Sequence, residues 1–132
     1  MSRLPRATEH LKTGFTAEAV SAARFRAYAA RAAKDGLPNL AQRWLELAAA
    51  KDALALAQLE AAGQVRGAAM DIGAALAEES YENDVLYPKM QREVDGETAA
   101  VFQQVVSTQK DHYSAINRLR EAYNSSQGDV PA

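Results

Sequence analysis

The placement of glycine and proline is the strongest constraint this chain puts on its own fold. Turn-forming clusters stand at KDGLPN (Lys34 to Asn39), at the glycine-containing stretch from Glu60 to Asp71, and at VDGET (Val94 to Thr98). Glycine supplies the left-handed residue that closes a helix and proline cannot continue one, so such clusters end and restart helices. The segments between them are expected as four helices, near residues 9–34, 39–62, 71–93 and 98–124. The reading is of one domain over residues 1–124, with SSQGDVPA at 125–132 as a disordered tail.

Alternating steps of three and four keep one stripe of a helix facing its neighbours. In the first segment that spacing picks out Phe15, Glu18, Ala22, Phe25, Ala29 and Ala32, and in the second Leu40, Trp44, Leu47, Lys51, Leu54 and Gln58. The third yields Ile72, Ala75, Glu79, Glu82 and Leu86, and the fourth Thr98, Phe102, Val105, Gln109, His112, Ile116 and Leu119. The stripes are apolar except near their middles, where Glu18, Lys51, Glu79, Glu82, Gln109 and His112 interrupt them. In an up-down-up-down bundle the middles of antiparallel helices meet, so these six side chains are expected in one layer. A lone buried carboxylate is costly and becomes protonated, paired or metal-bound, so three glutamates in a layer need a reason.

Composition excludes several functions. Fifteen basic against seventeen acidic residues, interleaved along the chain, provide no polybasic face for nucleic acid or anionic lipid. With no cysteine, disulfides, thiolate zinc and iron-sulfur clusters are ruled out. No apolar run nears the roughly 20 residues that cross a bilayer, and MSRLPRATEH lacks the apolar stretch of a signal peptide; a cytoplasmic protein is expected. Gly63, Gly67 and Gly73 form no phosphate-cradling motif, and no Ser-His-Asp arrangement is visible. Trp44, Phe25 and Phe102 read as core, and His10 and Glu78 as solvated. Tyr81, Tyr87 and Tyr113 lie near the layer and read as packing residues with a hydrogen-bonded hydroxyl.

The plan of a carboxylate-bridged di-iron bundle is one Glu from each of two helices and a Glu-x-x-His pair from each of the others. Here Glu18 and Glu79 meet the first requirement, while the paired positions read Lys51-x-x-Leu54 and Gln109-x-x-His112. FTAEAVSAARFRAYAARAAKDG (Phe15 to Gly36), EESYENDVLYP (Glu78 to Pro88) and VFQQVVSTQKDHYSAINRL (Val101 to Leu119) resemble the first, third and fourth helices of rubrerythrins, members of the ferritin-like superfamily. The resemblance runs from about Leu11 to Leu119 and implies an all-α, ferritin-like antiparallel four-helix bundle. It implies that Glu18 and Glu82 match the ligands of one iron and Glu79 and His112 those of the other. It also puts Lys51 and Gln109 where the two bridging carboxylates would stand, and Leu54 in place of the remaining histidine. The hairpin at Asp95-Gly96 is about a turn shorter than in that family, and a short member without the rubredoxin module of full-length ones is expected.

A bridging carboxylate holds two cations together by placing negative charge between them, which neither an ammonium nor a neutral amide does. Three carboxylates against one ammonium leave the layer at minus two, which one divalent ion balances and two do not. The expected metal residues are therefore Glu18, Glu79, Glu82 and His112, holding one Fe, Zn or Mn ion or none. In the metal-free form Lys51 pairs with Glu18 or Glu79 while another carboxyl stays protonated; Lys51 could instead snorkel to the surface. On its own, His112 reads as a core or interfacial histidine rather than a ligand. The functional expectation is a non-catalytic protein with a decayed di-iron centre and no catalytic residue. The alternative is an active di-iron peroxide reductase or ferroxidase serving oxidative-stress defence, with an unidentified redox partner. The resemblance further implies a homodimer; some members of that family exchange helix pairs, which the connection at Gly63 to Asp71 would permit.

Overall fold

The computed structural model describes residues 4–126 and 128–132; Met1 to Arg3 and Gln127, the latter in the expected tail, lie outside the described residues. Among the described residues the chain is all-helical, without a strand. Helices α1 (Ala7–Lys34), α2 (Pro38–Ala61) and α3 (Ala68–Tyr81) are followed by a π-helical turn (Glu82–Leu86), α4 (Tyr87–Gln91) and α5 (Gly96–Ser125). Since α3, the π-turn and α4 run on without a break, the chain forms four rods, as the glycine and proline clusters predict. No helix among the described residues is long and apolar enough to cross a membrane. Contacts divide the chain into two compact units, Met1–Val65 and Arg66–Ala132, each a helical hairpin.

In the first hairpin, α1 closes on a pair of backbone hydrogen bonds, Leu37 N–H to Ala32 O at 2.9 Å and Gly36 N–H to Ala33 O at 3.1 Å. Gly36 adopts φ +75°, which lacks a steric penalty only for glycine. Pro38 then starts α2 at a position whose N–H has no helical partner to lose. The seam between the two helices is built from alanine. Ala22, Ala29 and Ala32 of α1 are buried, as are Ala41, Ala48 and Ala55 of α2 and Ala62 beyond its end. Near the turn Trp44 packs beside them, its ring 5.1 Å from that of Phe25 and 5.2 Å from that of Tyr28.

The α1 stripe thus follows the expected register, while on α2 Trp44 and Lys51 face α1 as expected but the three leucine positions are each displaced by one residue. Leu40, Leu47 and Leu54, expected inward, are 46%, 50% and 52% exposed, and the alanines that follow them take the seam. The reason is steric: methyl-sized side chains let two helices approach closely, and a hairpin covers only one stripe of each helix. Burying a methyl contributes about 0.8 kcal/mol, against about 1.5–3 kcal/mol for a whole leucine side chain. An alanine seam is therefore a weak glue, and the aromatic trio at the turn end adds ring packing to it.

The second hairpin starts where the Asp71 carboxylate accepts the backbone N–H groups of Arg66 at 2.9 Å and Gly67 at 3.2 Å, satisfying donors that precede the first turn of α3. Leu76 is its one buried large side chain among the described residues. Further along, Tyr87 stacks edge-on against Phe102 of α5, with ring centres 5.7 Å apart and planes at 69°. Between Leu76 and Tyr87 lies the π-turn. The Tyr87 N–H reaches back five residues to the Glu82 carbonyl. Pro88 explains it: proline brings no N–H for the Asp84 carbonyl and its ring crowds that oxygen, so the turn in front of it widens.

Candidate functional site

The residues singled out in the sequence fall into both hairpins. Glu18 and Lys51 belong to the first, and Glu79, Glu82, Gln109 and His112 to the second. Within the first, Glu18 faces α2 because it continues the α1 stripe of Ala22, Ala29 and Ala32 by one turn. Lys51 stands opposite, at comparable distance from the Gly36 turn. Its Nζ lies 2.8 Å from Glu18 Oε2, with side chains 33% and 23% exposed respectively. That oxygen is enclosed and has no aligned hydrogen-bond donor, so the contact is a close ion pair rather than a directed hydrogen bond. Lys51 does not snorkel away: its ammonium lies on a carboxylate.

In the second hairpin Glu82 opens the π-turn and is partly buried against α5. Gln109 Nε2 donates a hydrogen bond of 3.2 Å to Glu82 Oε2. Burial pushes the Glu82 carboxyl above the ordinary carboxylate range. The negative charges of Glu79, one turn earlier, and of Glu78 push the same way, and the Gln109 hydrogen bond opposes them. Glu79 is partly buried, with its Oε2 enclosed and unpartnered, and Gln109 Oε1 is likewise enclosed and unpartnered. His112, one turn beyond Gln109, is exposed.

The structure therefore brings Glu82 to Gln109, with Glu79 close enough to raise its carboxyl, and brings Glu18 to Lys51. Among the described residues no three His, Cys, Asp or Glu side chains converge as a metal cage. Lys51 and Gln109, expected at the bridging positions, are each engaged with a carboxylate of their own hairpin, Glu18 and Glu82 respectively. Leu54, expected in place of a histidine, is on the exposed flank of α2 rather than on its seam. Tyr87 packs as expected, on Phe102.

The π-turn, and with it a polar cavity between the turn and α5, is not foreseen by the sequence analysis. The signal was present in Pro88, which sits inside an otherwise helical pattern. No family model matches the sequence, and no curated protein or solved structure is significantly similar to the chain.

Proposed function

We propose that this chain is a rubrerythrin-like, ferritin-like bundle protein whose di-iron centre has decayed, and that it works without turnover. The observation that carries the reading is the ion pair of Lys51 with Glu18. An internal ammonium takes the place that a metal cation would fill, and a neutral amide hydrogen-bonds Glu82 where a bridging carboxylate would stand. A protein built this way holds its glutamates for structure: one neutralised by lysine, one biased toward its protonated form by burial and by Glu79.

A second reading is favoured by the enclosed, unpartnered Oε2 of Glu79. Glu79 and Glu82 are the residues that would hold a single divalent ion, and His112, exposed one turn beyond Gln109, would have to turn inward to join them as the nitrogen donor. Oxygen and nitrogen donors of this kind suit Fe, Zn or Mn. The ion would neutralise the two carboxylates. A homodimer is part of the proposal; the half-exposed leucines along α2 are the surface a second copy would cover.

Elemental analysis of protein purified without tags or chelators tests these readings together. No bound metal is the expected result for the lysine-paired form and one ion per chain for the second reading. Two irons per chain that are oxidised by peroxide would overturn both. Restoring the bridges with Lys51→Glu and Gln109→Glu is expected to raise iron uptake, and no gain would remove these residues from the bridging positions. A concentration-independent monomer mass in light scattering would remove the dimer.

A further inference from the structure

Beside the glutamate pair, on another flank of the second hairpin, lies a partly open cavity of about 330 Å³. It is lined by Ser80, Asn83, Asp84, Lys110, Tyr113 and Ser114. Every one of these side chains carries a hydrogen-bonding head, so this is not a packing defect between apolar side chains, which would stay dry. Two of them, Asn83 and Asp84, belong to the π-turn, a distortion that recurs at functional sites because it splays neighbouring side chains apart.

The charges decide what such a cavity can hold. Asp84 and Lys110 face the same space with opposite sign, yet neither takes part in an ion pair among the described residues. Asp84 is held from one side by Ser80, whose Oγ donates a hydrogen bond of 3.2 Å to Asp84 Oδ2. The Asn83 Oδ1 is enclosed and accepts no hydrogen bond. A simple anion would be drawn by Lys110 and repelled by Asp84, and a simple cation the reverse. An apolar ligand would strip water from six polar heads without replacing it. No three His, Cys, Asp or Glu side chains converge there, among the described residues, to hold a metal ion. A molecule with both an ammonium and a carboxylate satisfies both charges at no net cost in charge, and the volume, at the lower end for small-molecule pockets, suits a small one.

We propose that this cavity is a binding site for a free α-amino acid. The ammonium of the ligand donates to Asp84, and its carboxylate accepts from Lys110, with the Asn83 amide and the Tyr113 and Ser114 hydroxyls on the same lining. The site stands independently of the glutamate and lysine positions and of whether metal binds there.

The test is a titration of the full chain with each zwitterionic proteinogenic amino acid, followed by two-dimensional NMR at the Asn83 side-chain amide and the Tyr113 ring. It is run in EDTA so that amino acid–metal complexes cannot contribute. At least one amino acid is expected to give saturable shifts, with acetate and ethylammonium, the two half-ligands, binding at least tenfold more weakly. Asp84→Asn and Lys110→Gln, changes at exposed side chains, are each expected to weaken binding at least tenfold while leaving the helical circular dichroism unchanged. If no amino acid shifts these resonances, if the half-ligands match the whole, or if both variants bind as the parent does, the assignment is overturned.

Discussion

Lys51 Nζ sits 2.8 Å from Glu18 Oε2, so the most enclosed carboxylate of the first hairpin is answered by a lysine of the neighbouring helix. Both side chains are partly exposed, which places the pair between two regimes. Exposed pairs are worth about 0.2–1 kcal/mol because water and salt screen them. A fully buried charge left alone costs about 3–5 kcal/mol. Here the attraction is moderate, but the penalty for removing only the lysine exceeds the worth of the pair, since Glu18 Oε2 has no other donor.

Lys51→Met is accordingly expected to destabilise the protein by about 1–2 kcal/mol, between those two limits. The matched Lys51→Met, Glu18→Gln double variant should recover part of that loss, with a coupling energy of about 0.5–1 kcal/mol. Urea denaturation of the four proteins of the cycle measures it. A coupling near zero would show that the ion pair contributes nothing beyond packing of the lysine stem.

Glu82 sets a pH dependence of the opposite kind to an ordinary salt-bridged carboxylate. Its carboxyl is raised in the folded protein, first by burial and then by Glu79 and Glu78, so the folded state holds this proton more tightly than the unfolded chain does. The folded state then binds more protons, and stability falls as pH rises from the ordinary glutamate range near 4.3 up through the raised folded value, and levels off above it. Glu82→Gln keeps an acceptor for Gln109 and removes the titration. The variant is expected to lose this downward slope and to be at least as stable as the parent at neutral pH. Denaturation midpoints from pH 4 to 7 are the check; an unchanged slope in the variant would place the proton elsewhere.

The four rods and their breaks were legible because Gly36, Gly63 and Gly96 each adopt positive φ at a helix end, a demand few other residues meet. The α1 stripe was legible too, since Phe15, Glu18, Ala22, Phe25, Ala29 and Ala32 share one face under any reading. On α2 the steps of three and four picked Leu47 and Leu54 where Ala48 and Ala55 fit the spacing as well, because spacing does not register how closely two helices approach. The polar residues Lys51 and Gln109 were found because a polar head on an apolar stripe stands out. Their partners were not all recoverable: spacing alone let Gln109 meet any carboxylate of the layer, and in the structure it meets Glu82.

Gly14 illustrates a close approach that the seam tolerates without needing it. A Cβ at this position would run into the side-chain amide of Gln58, the far end of a flexible chain that is otherwise held by a 3.2 Å hydrogen bond from its Nε2 to the Leu54 carbonyl. Swinging that amide toward solvent costs one exposed hydrogen bond, whereas replacing glycine within a helix gains about 0.5–1 kcal/mol. Gly14→Ala is thus expected to be neutral to stabilising by up to about 0.5 kcal/mol once the displaced hydrogen bond is set against the gain. A thermal or urea midpoint lowered by the change would mean that the helices, not the Gln58 side chain, are what move.

Pro88 is expected to be the residue that maintains the π-turn. Pro88→Ala supplies an N–H for the Asp84 carbonyl and removes the ring that crowds it, so the turn can close to ordinary α-helical spacing. Losing one residue of bulge rotates everything before the turn by about 100° relative to everything after it. Glu82 and Tyr87 then cannot both keep their present neighbours on α5, Gln109 and Phe102. The edge-on Tyr87–Phe102 pair, worth about 0.5–1.5 kcal/mol, or the Gln109 hydrogen bond has to give way. Ring-to-ring NOEs between Tyr87 and Phe102, together with the pH slope assigned to Glu82, identify which one is lost. Persistence of the Tyr87 N–H to Glu82 carbonyl bond in the variant would instead show that packing against α5 holds the wide turn open.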